Sequence, residues 1–264
     1  MNNQEHNLIG FSGSKLEIIN KNSSAPLVRK TSPSKKYNNR LKSQALKQKN
    51  FHSELIKSPK ITNIRKDKDG KLYFDMEYIQ GETLSEYILK KNFEDAFFFF
   101  QKVLGFIKSN NSLSTSINQS VQKKINSIKL PDRFERYRKS LSEDKFHSKT
   151  SYCHGDLTLE NIIIKDGEVF FIDFLDSDIN SKTMDVSKIL QDIICMWSWR
   201  NITQKPIIEC EHLLRNIQEQ FTREEFLESK KLCMLNLLRI IPYSKKDTST
   251  TSFLETALKR ISCE

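Results

Sequence analysis

Apolar residues alternate with polar residues along the first third of the chain, and this pattern predicts short β-strands. Two apolar runs flank a Gly/Ser turn in NLIGFSGSKLEIINK, which predicts a hairpin, and APLVRKTS predicts a third strand. The basic segment KKYNNRLKSQALKQKNFHSELI predicts a helix. SPKITNIRKDKDGKLYFDMEYI predicts two more strands around a turn at Asp69–Gly70. The sum is a small antiparallel sheet of about five strands with one helix.

Helical patterns dominate after the segment QGETL. In TLSEYILKKN, Thr83 is a predicted N-cap and Glu86 follows three residues later, as in a capping box. NFEDAFFFFQKVLGFIKS predicts a long buried helix, whereas the polar NNSLSTSINQS predicts a loop. VQKKINSIKLPDRFERYRKSLSEDKFHSK predicts a basic, mainly helical stretch that Pro131 interrupts. Further helices are predicted in TMDVSKILQDIICMWSWR, KPIIECEHLLRNIQEQF, TREEFLESKKLCMLNLLRII and TSFLETALKRI.

The change from strand to helix patterns predicts an α+β chain with two parts. We expect a small sheet-rich part at residues 1–79 and a larger helical part at residues 80–264, with the boundary near Gln80–Gly81. A length of 264 residues fits one large domain or two tightly joined lobes.

The formal net charge of +10 favours anionic partners such as nucleotides, phosphorylated metabolites or nucleic acid. A basic cluster surrounds the first predicted helix, and a solvated helix face explains it better than an anionic partner does. A second basic segment, KLPDRFERYRKS, is interrupted by Asp132 and Glu135, and no RNA-binding signature occurs. We therefore expect no nucleic-acid partner.

Five cysteines are scattered along the chain and form no C-x-x-C pair, which favours a reducing cytoplasm. The opening residues MNNQEHNLIG lack the apolar core of a signal peptide. No apolar run approaches the roughly 18 residues of a membrane span. The sequence therefore predicts a cytoplasmic protein without a membrane span.

Polar side chains of specific kinds interrupt the apolar segments SYCHGDLTLENIII and VFFIDFLD. His154, Asp156 and Asn161 lie in a predicted loop, and IIIKDGEVFFIDF predicts a hairpin that turns at residues 166–167 and returns Asp173 toward Asn161. Amide and carboxylate oxygens suit Mg²⁺ bound to phosphates. Asp156 can accept a hydrogen bond from a substrate hydroxyl and hold it in line with a phosphoryl group. A solvated loop explains each residue singly, but not the whole constellation.

The segments HGDL at 154–157 and IDF at 172–174, with Asn161 between them, resemble the catalytic core of the aminoglycoside phosphotransferase and choline kinase group. These are small-molecule kinases with a bilobal protein-kinase-like fold. The resemblance implies that Asp156 is the catalytic base or hydroxyl-orienting residue and that His154 braces the loop. It implies that Asn161 and Asp173 are the Mg²⁺ ligands, and that Asp185 in TMDVSKILQD braces the catalytic loop.

The resemblance extends into the first part of the chain. MEYIQGETL resembles the hinge of this group, where adenine would contact backbone groups around Glu77 and Ile79. LVRK resembles the third-strand motif, with Lys30 as the lysine that contacts the nucleotide phosphates. GFSGSK would be the loop over the phosphates, in which Ser12 and Gly13 let backbone N–H groups approach the oxygens.

Three positions depart from the kinase pattern. The glycine loop is G-x-x-G, and the second motif is Asp-Phe-Leu. The helix that should supply a Glu to Lys30 offers Gln44 or Gln48 instead, and Glu54 lies near its predicted end. Either Gln44 orients Lys30 by a neutral hydrogen bond, or Glu54 swings in, or another lysine fills the role.

The resemblance predicts a phosphotransferase that uses ATP or another nucleoside triphosphate with Mg²⁺. The acceptor would be a hydroxyl of a small molecule, such as a sugar or related metabolite, and the charge favours an anionic one. Candidate acceptor contacts are Asp176, Trp197 and Arg200, although buried aromatic residues are more often core. A pseudokinase that binds nucleotide with little turnover is the alternative. A Ser/Thr protein kinase is disfavoured by Gly155.

Overall fold

The structure is a computed structural model that describes residues 8–9, 13–20, 23, 25–90, 92–244 and 247–263. The chain divides into two compact units. The first unit consists of Met1–Glu82 with Ile163–Asp176, and the second of Thr83–Ile162 with Ser177–Glu264.

A five-stranded antiparallel sheet forms the centre of the first unit, in the strand order β1-β2-β3-β5-β4. The strands are β1 (Leu8–Ile9), β2 (Lys15–Ile19), β3 (Leu27–Thr31), β4 (Ile61–Lys66) and β5 (Leu72–Glu77). The predicted antiparallel sheet and the α+β class are therefore confirmed.

Helix α1 (Asn38–Lys49) covers one face of this sheet. Leu41 and Ala45 are fully buried against Phe74 and other apolar strand residues. Because side chains alternate along a strand, Val28 and Lys30 are buried on β3 while Arg29 points to the other face. There its guanidinium forms two hydrogen bonds, of 2.7 and 2.9 Å, with the Asp75 carboxylate. The alternation thus directs Lys30 to the interior of the unit.

A short hairpin follows the loop of residues 154–161. Its strands β9 (Ile162–Lys165) and β10 (Glu168–Phe171) form a three-stranded sheet with β6 (Glu82–Thr83), in the order β10-β9-β6. Asp166 and Gly167 both have positive φ, as a type I′ turn requires, so the predicted hairpin turn is confirmed. Gly81 must lack a side chain here, because a Cβ atom would clash with the carbonyl oxygen of Ile164.

Helices form most of the second unit. They are α2 (Leu84–Lys90), α3 (Phe93–Ser109), α4 (Asn118–Ser127), α5 (Asp132–Glu143), α6 (Lys182–Ile193), α7 (Ile207–Gln220), α8 (Arg223–Ile240) and α9 (Thr248–Cys263). Nearly every residue of α6 is buried, and this helix packs against α3, α7 and α8. It is therefore the central helix of the unit.

The capping box predicted at Thr83 is confirmed. The Glu86 backbone N–H donates to the Thr83 hydroxyl at 3.2 Å, and the Thr83 backbone N–H donates to the Glu86 carboxylate at 3.1 Å. These two hydrogen bonds satisfy backbone donors at the start of α2.

One sequence-based expectation was wrong. The segment predicted as a loop contains strand β7 (Ser112–Ser116), which pairs with β8 (Lys149–Ser151). Its side chains are all exposed, and a single leucine among serine and threonine residues gives no apolar alternation, so the hydrophobic pattern carried no sign of a strand.

Within the described ranges, none of the helices is both long and apolar enough to cross a membrane. Cys153, Cys195, Cys210 and Cys233 are buried free thiols.

Candidate functional site

The backbone of the loop at residues 154–161 is held by a buried carboxylate from α6. Asp185 accepts hydrogen bonds from the backbone N–H of His154 at 2.7 Å and from that of Gly155 at 2.8 Å. Gly155 has φ 91°, a conformation that side chains disfavour, which explains glycine at this position. Asp185 thus braces the loop, as the resemblance implied.

His154 is completely buried and supports the next residue of the loop. Its Nδ1 atom accepts a hydrogen bond of 3.3 Å from the backbone N–H of Asp156. In a neutral imidazole the proton then lies on Nε2. His154 therefore stabilises the loop through the backbone N–H of Asp156.

The Asp156 carboxylate is the partly exposed acidic group of this loop. Its Oδ1 atom lies 2.9 Å from Nζ of Lys188 on α6, and a third of the Asp156 side chain is exposed. Burial alone would raise the pKa of the Asp156 carboxyl, but the Lys188 ammonium outweighs it and holds the pKa below its usual value. Asp156 is therefore an ionised hydrogen-bond acceptor at neutral pH.

Asn161 is fixed by the same loop. Its side-chain nitrogen donates to the backbone carbonyl of Asp156 at 2.7 Å, and its backbone N–H donates to the carbonyl of Thr158 at 3.0 Å. Because the amide nitrogen is committed to this bond, the side-chain oxygen is the atom that can bind a cation.

A second buried carboxylate, Asp192, holds the far end of the loop. It accepts hydrogen bonds from the Leu159 backbone N–H at 2.6 Å, the Ser198 backbone N–H at 3.0 Å and the Ser198 hydroxyl at 2.7 Å. Burial raises the pKa of Asp192 to about 7 despite these bonds. The turn that returns Ser198 to Asp192 passes through Met196, whose φ is 59°.

Three contacts with the loop thus come from one face of α6. Asp185, Lys188 and Asp192 are separated by three and four residues, and such residues lie side by side on a helix. Lys188 and Asp192 were not among the residues predicted from the sequence. The three-four spacing of charged residues in TMDVSKILQD was the available signal.

Lys30 is buried within the first unit and has two partners. Its ammonium pairs with the Asp173 carboxylate and lies 3.5 Å from the side-chain oxygen of buried Gln44. The Glu54 side chain, a second candidate partner of Lys30, is exposed. The third candidate, Gln48, donates a hydrogen bond to the Pro59 carbonyl at 2.9 Å. The neutral partner expected for Lys30 is therefore Gln44.

Asp173 follows the hairpin in a strained backbone conformation, with φ 60°. Its side chain is 42% exposed. The adjacent Phe174 is buried and packs on Phe51, with ring centroids 5.1 Å apart. This packing anchors the chain directly after Asp173.

The predicted hinge residues lie at the end of β5. The Glu77 backbone N–H donates to the Lys60 carbonyl at 3.0 Å, and Ile79 is buried. Gly13 has φ 72°, which glycine adopts readily, whereas Ser12 lies outside the described residues.

The candidate acceptor residues do not form one cluster within a single unit. Trp197 is buried against Phe253, and the Arg200 guanidinium lies 4.6 Å from the centre of the Trp197 ring. Arg200 also lies 3.8 Å from the Glu160 carboxylate. Asp176 is exposed and belongs to the first unit. Arg200 is therefore the acceptor candidate that contacts the loop of residues 154–161.

The two predicted metal ligands bracket the β9–β10 hairpin, with Asn161 in the second unit and Asp173 in the first. In the described part of the chain, no three His, Cys, Asp or Glu side chains are grouped as a metal site. An all-protein metal cage is thus not seen among these residues.

Comparison with known proteins gives a family match for part of the chain. Residues 117–207 match the model of the phosphotransferase enzyme family. This segment contains the loop of residues 154–161, the hairpin and α6. No curated protein matches the chain.

Solved structures similar to the chain include aminoglycoside phosphotransferases. A thermostable mutant of aminoglycoside phosphotransferase APH(4)-Ia is 12% identical, with a TM-score of 0.66 over 97% of this chain and 93% of that one. The GDP complex of aminoglycoside 2'-phosphotransferase-IIIa is 14% identical, with a TM-score of 0.65 over 95% and 90%. A candidate fructosamine-3-kinase from Haemophilus somnus 129PT is 12% identical, with a TM-score of 0.58 over 97% and 90%.

These findings confirm the predicted resemblance to the small-molecule branch of the protein-kinase-like fold. The structural likeness concerns the fold, and the family match adds the phosphotransferase signature in the segment that carries Asp156.

Proposed function

We propose that this chain is a kinase that transfers the γ-phosphoryl group of a nucleoside triphosphate to a hydroxyl group of a small molecule. The observation that supports this most strongly is the construction of the loop at residues 154–161. Buried Asp185 and Asp192 fix its backbone, while Asp156 remains partly exposed and ionised. Such a loop is built to present one carboxylate in a fixed position.

In this proposal Asp156 orients the acceptor hydroxyl and accepts its proton. A carboxylate within hydrogen-bond reach of the hydroxyl can hold its oxygen in line with the transferred phosphoryl group. Lys188 keeps Asp156 ionised, so the carboxylate can accept a hydrogen bond at neutral pH. Transfer then depends on positioning and charge stabilisation more than on covalent chemistry at the protein.

Residues 1–79 would bind the nucleotide, and residues 80–264 would carry the catalytic loop and the acceptor site. Lys30 would contact the phosphates, Glu77 and Ile79 would flank the adenine, and the loop with Ser12 and Gly13 would cover the phosphates. Lys30 is well placed for this role in its own unit, because it is buried and its ammonium is already paired with anionic Asp173. Structures with a similar fold carry AMP-PNP with hygromycin B, or GDP, which supports ATP or another nucleoside triphosphate as the proposed nucleotide.

Mg²⁺ would be held by Asn161 and Asp173. Both offer oxygen atoms, the ligands that Mg²⁺ prefers, and the committed amide nitrogen of Asn161 leaves its oxygen for the ion. When bound, the ion would neutralise charge on the phosphates.

The acceptor we propose is a sugar or related metabolite with an anionic group. The sequence segment TREEFLE was the one locally acidic run that could attract a cationic acceptor, and two of its three carboxylates have structural roles. Glu225 caps α8 and pairs with Lys182 at 2.6 Å, while Glu228 accepts hydrogen bonds from backbone N–H groups of residues 147–148. Cationic Lys188 and Arg239, by contrast, both lower the pKa of Asp156.

A catalytically weak pseudokinase is the alternative, and one observation favours it. Gln44, a neutral amide 3.5 Å from the Lys30 ammonium, stands where a carboxylate would hold the lysine more strongly. We place the protein in the cytoplasm in either case, because its described cysteines are free thiols.

A coupled assay of ADP or GDP release decides between enzyme and pseudokinase. The purified chain is tested with Mg·ATP and Mg·GTP against sugar acids, sugar phosphates, neutral sugars, amino alcohols and aminoglycosides. We expect turnover with one anionic class, and a loss of kcat of about 10³-fold in Asp156→Asn, because the amide cannot accept the proton. Asp178→Asn is the control, because the Asp178 side chain is 76% exposed and forms a long surface ion pair of 3.8 Å with Lys124.

Nucleotide binding without turnover on any acceptor would support the pseudokinase instead. Full activity of Asp173→Ala would contradict the metal assignment while leaving the role of Asp156 intact. Turnover confined to cationic acceptors would contradict the proposed acceptor class.

A further inference from the structure

Lys188 contacts the carboxylate that the proposed function places at the reacting hydroxyl. It lies on α6 between Asp185 and Asp192, and all three face the loop of residues 154–161. The two carboxylates bind backbone N–H groups, whereas Lys188 binds a side chain. Lys188 is thus the member of this face that contacts the functional group itself.

The Asp156 backbone is already fixed without Lys188. Its N–H donates to His154 Nδ1 at 3.3 Å, and its carbonyl accepts hydrogen bonds from the Thr158 backbone at 2.8 Å and the Asn161 side chain at 2.7 Å. The side-chain torsions of Asp156 are the remaining freedom. The Nζ atom of Lys188, 2.9 Å from Oδ1, restrains them.

The Lys188 side chain is itself immobilised. It is only 12% exposed and projects from the central helix of the second unit, whose neighbouring residues are buried. A lysine in solvent would lose considerable rotamer freedom to form such a pair. Here the surrounding packing restricts the lysine in advance, so the pair fixes the carboxylate at little further entropic cost.

We propose that Lys188 is a positioning residue, which binds Oδ1 of Asp156 and thereby turns Oδ2 toward the acceptor hydroxyl. This inference rests on the proposed kinase function. It assigns the two carboxylate oxygens different tasks: one holds the side chain in place, and the other accepts the hydrogen bond from the acceptor. The Lys188 ammonium takes no direct part in the transfer.

Steady-state kinetics of Lys188→Met and Lys188→Arg, with thermal unfolding, test this role. We expect Lys188→Met to lower kcat by about 100-fold, the effect of a misplaced catalytic group, with the KM for nucleotide within about twofold of the parent. Lys188→Arg retains the charge and can still bind Oδ1, so its kcat should be at least about tenfold higher than that of Lys188→Met.

Lys182→Met is the matched control. Lys182 lies on the same helix and forms an ion pair of 2.6 Å with Glu225, so its loss tests a structural ion pair. We expect this variant to unfold at a lower temperature while kcat stays within about twofold, since Lys182 has no contact with the loop.

Two results would overturn the inference: a kcat of Lys188→Met within twofold of the parent, or equal losses of kcat in Lys188→Met and Lys182→Met. If Lys188→Met does not fold, the kinetics of Lys188→Arg decide. A Lys188→Arg variant with the kcat of the parent but a changed KM for the acceptor would assign Lys188 to substrate binding and overturn the inference. A parent chain without turnover on any acceptor would instead refute the proposed function.

Discussion

The two regions that carry the candidate functional groups are stabilised by different chemistry. In the second unit, buried Asp185 and Asp192 accept hydrogen bonds from the backbone of the loop of residues 154–161. In the first unit, Lys30 has a neutral amide at 3.5 Å and the carboxylate of Asp173, which is 42% exposed. The loop is thus held by two buried carboxyl groups, whereas the lysine depends on a partner that the proposed function also assigns to a cation.

This difference indicates where each region is rigid before any ligand binds. The carboxyl oxygens of Asp185 and Asp192 satisfy three backbone N–H groups of the loop, and leaving such buried donors unpaired would cost stability, so the loop is set in advance. Lys30 is fixed by burial, and its partner Asp173 retains freedom on its exposed side. We therefore expect ligand binding to change the surroundings of Lys30 more than those of Asp156.

A large loss of stability is expected from Asp185→Asn. The amide group replaces a charged acceptor and turns an NH₂ group toward a buried N–H, so we expect the second unit to lose about 3 kcal/mol of stability. Hydrogen exchange at the amides of residues 154 and 155 should accelerate, and thermal unfolding should begin earlier.

Asp178→Asn, which changes an exposed carboxylate, should alter neither measurement. Unchanged exchange at residues 154 and 155 in Asp185→Asn would show that the loop does not depend on the charged acceptor.

A pH-dependent effect is expected at Asp192. The folded protein holds a proton on Asp192 up to about pH 7, whereas the unfolded chain releases it near the usual aspartate value. Stability should therefore fall as the pH rises from 4 to 7, by up to about 1.4 kcal/mol per pH unit, and this loss should be complete above pH 7.

The isosteric Asp192→Asn variant cannot ionise and should lack this contribution. Parallel denaturant titrations of the two proteins at pH 5, 6, 7 and 8 measure the difference. Parallel stability curves for parent and variant across this range would contradict the raised pKa of Asp192.

The smallest effect is expected from Gln44→Glu. This substitution gives Lys30 a buried carboxyl partner, the kind of group that holds the loop of residues 154–161. A carboxylate beside the Lys30 ammonium should stabilise the first unit by on the order of 1 kcal/mol. Gln48→Glu is the control on the same helix, because it removes the donor to the Pro59 carbonyl and buries an unpaired charge. Thermal unfolding should shift upward for the first variant and downward for the second, and shifts of the same sign would contradict the assignment of Gln44.

Local chemistry made part of the fold predictable. The hairpin turn needs two residues with positive φ, and Asp166-Gly167 is a dipeptide that supplies them. The Thr83 and Glu86 capping box depends only on residues three positions apart. Apolar alternation located the strands of the first sheet.

The features that were missed depend on partners distant in sequence. The strand Ser112–Ser116 is defined by its pairing with Lys149–Ser151, and its polar residues carry no pattern of their own. Lys188 and Asp192 were missed because α6 is buried almost all round, so composition does not tell which face meets the loop. The choice between Gln44 and Glu54 likewise depended on where α1 ends.

A helix that carries three supports of the loop on one side also constrains how the gene can change. One residue gained or lost between positions 185 and 192 would rotate the following side chains by about 100° around the helix axis. Lys188 or Asp192 would then face away from its partner. Changes in length are therefore confined to the segments before and after this helix.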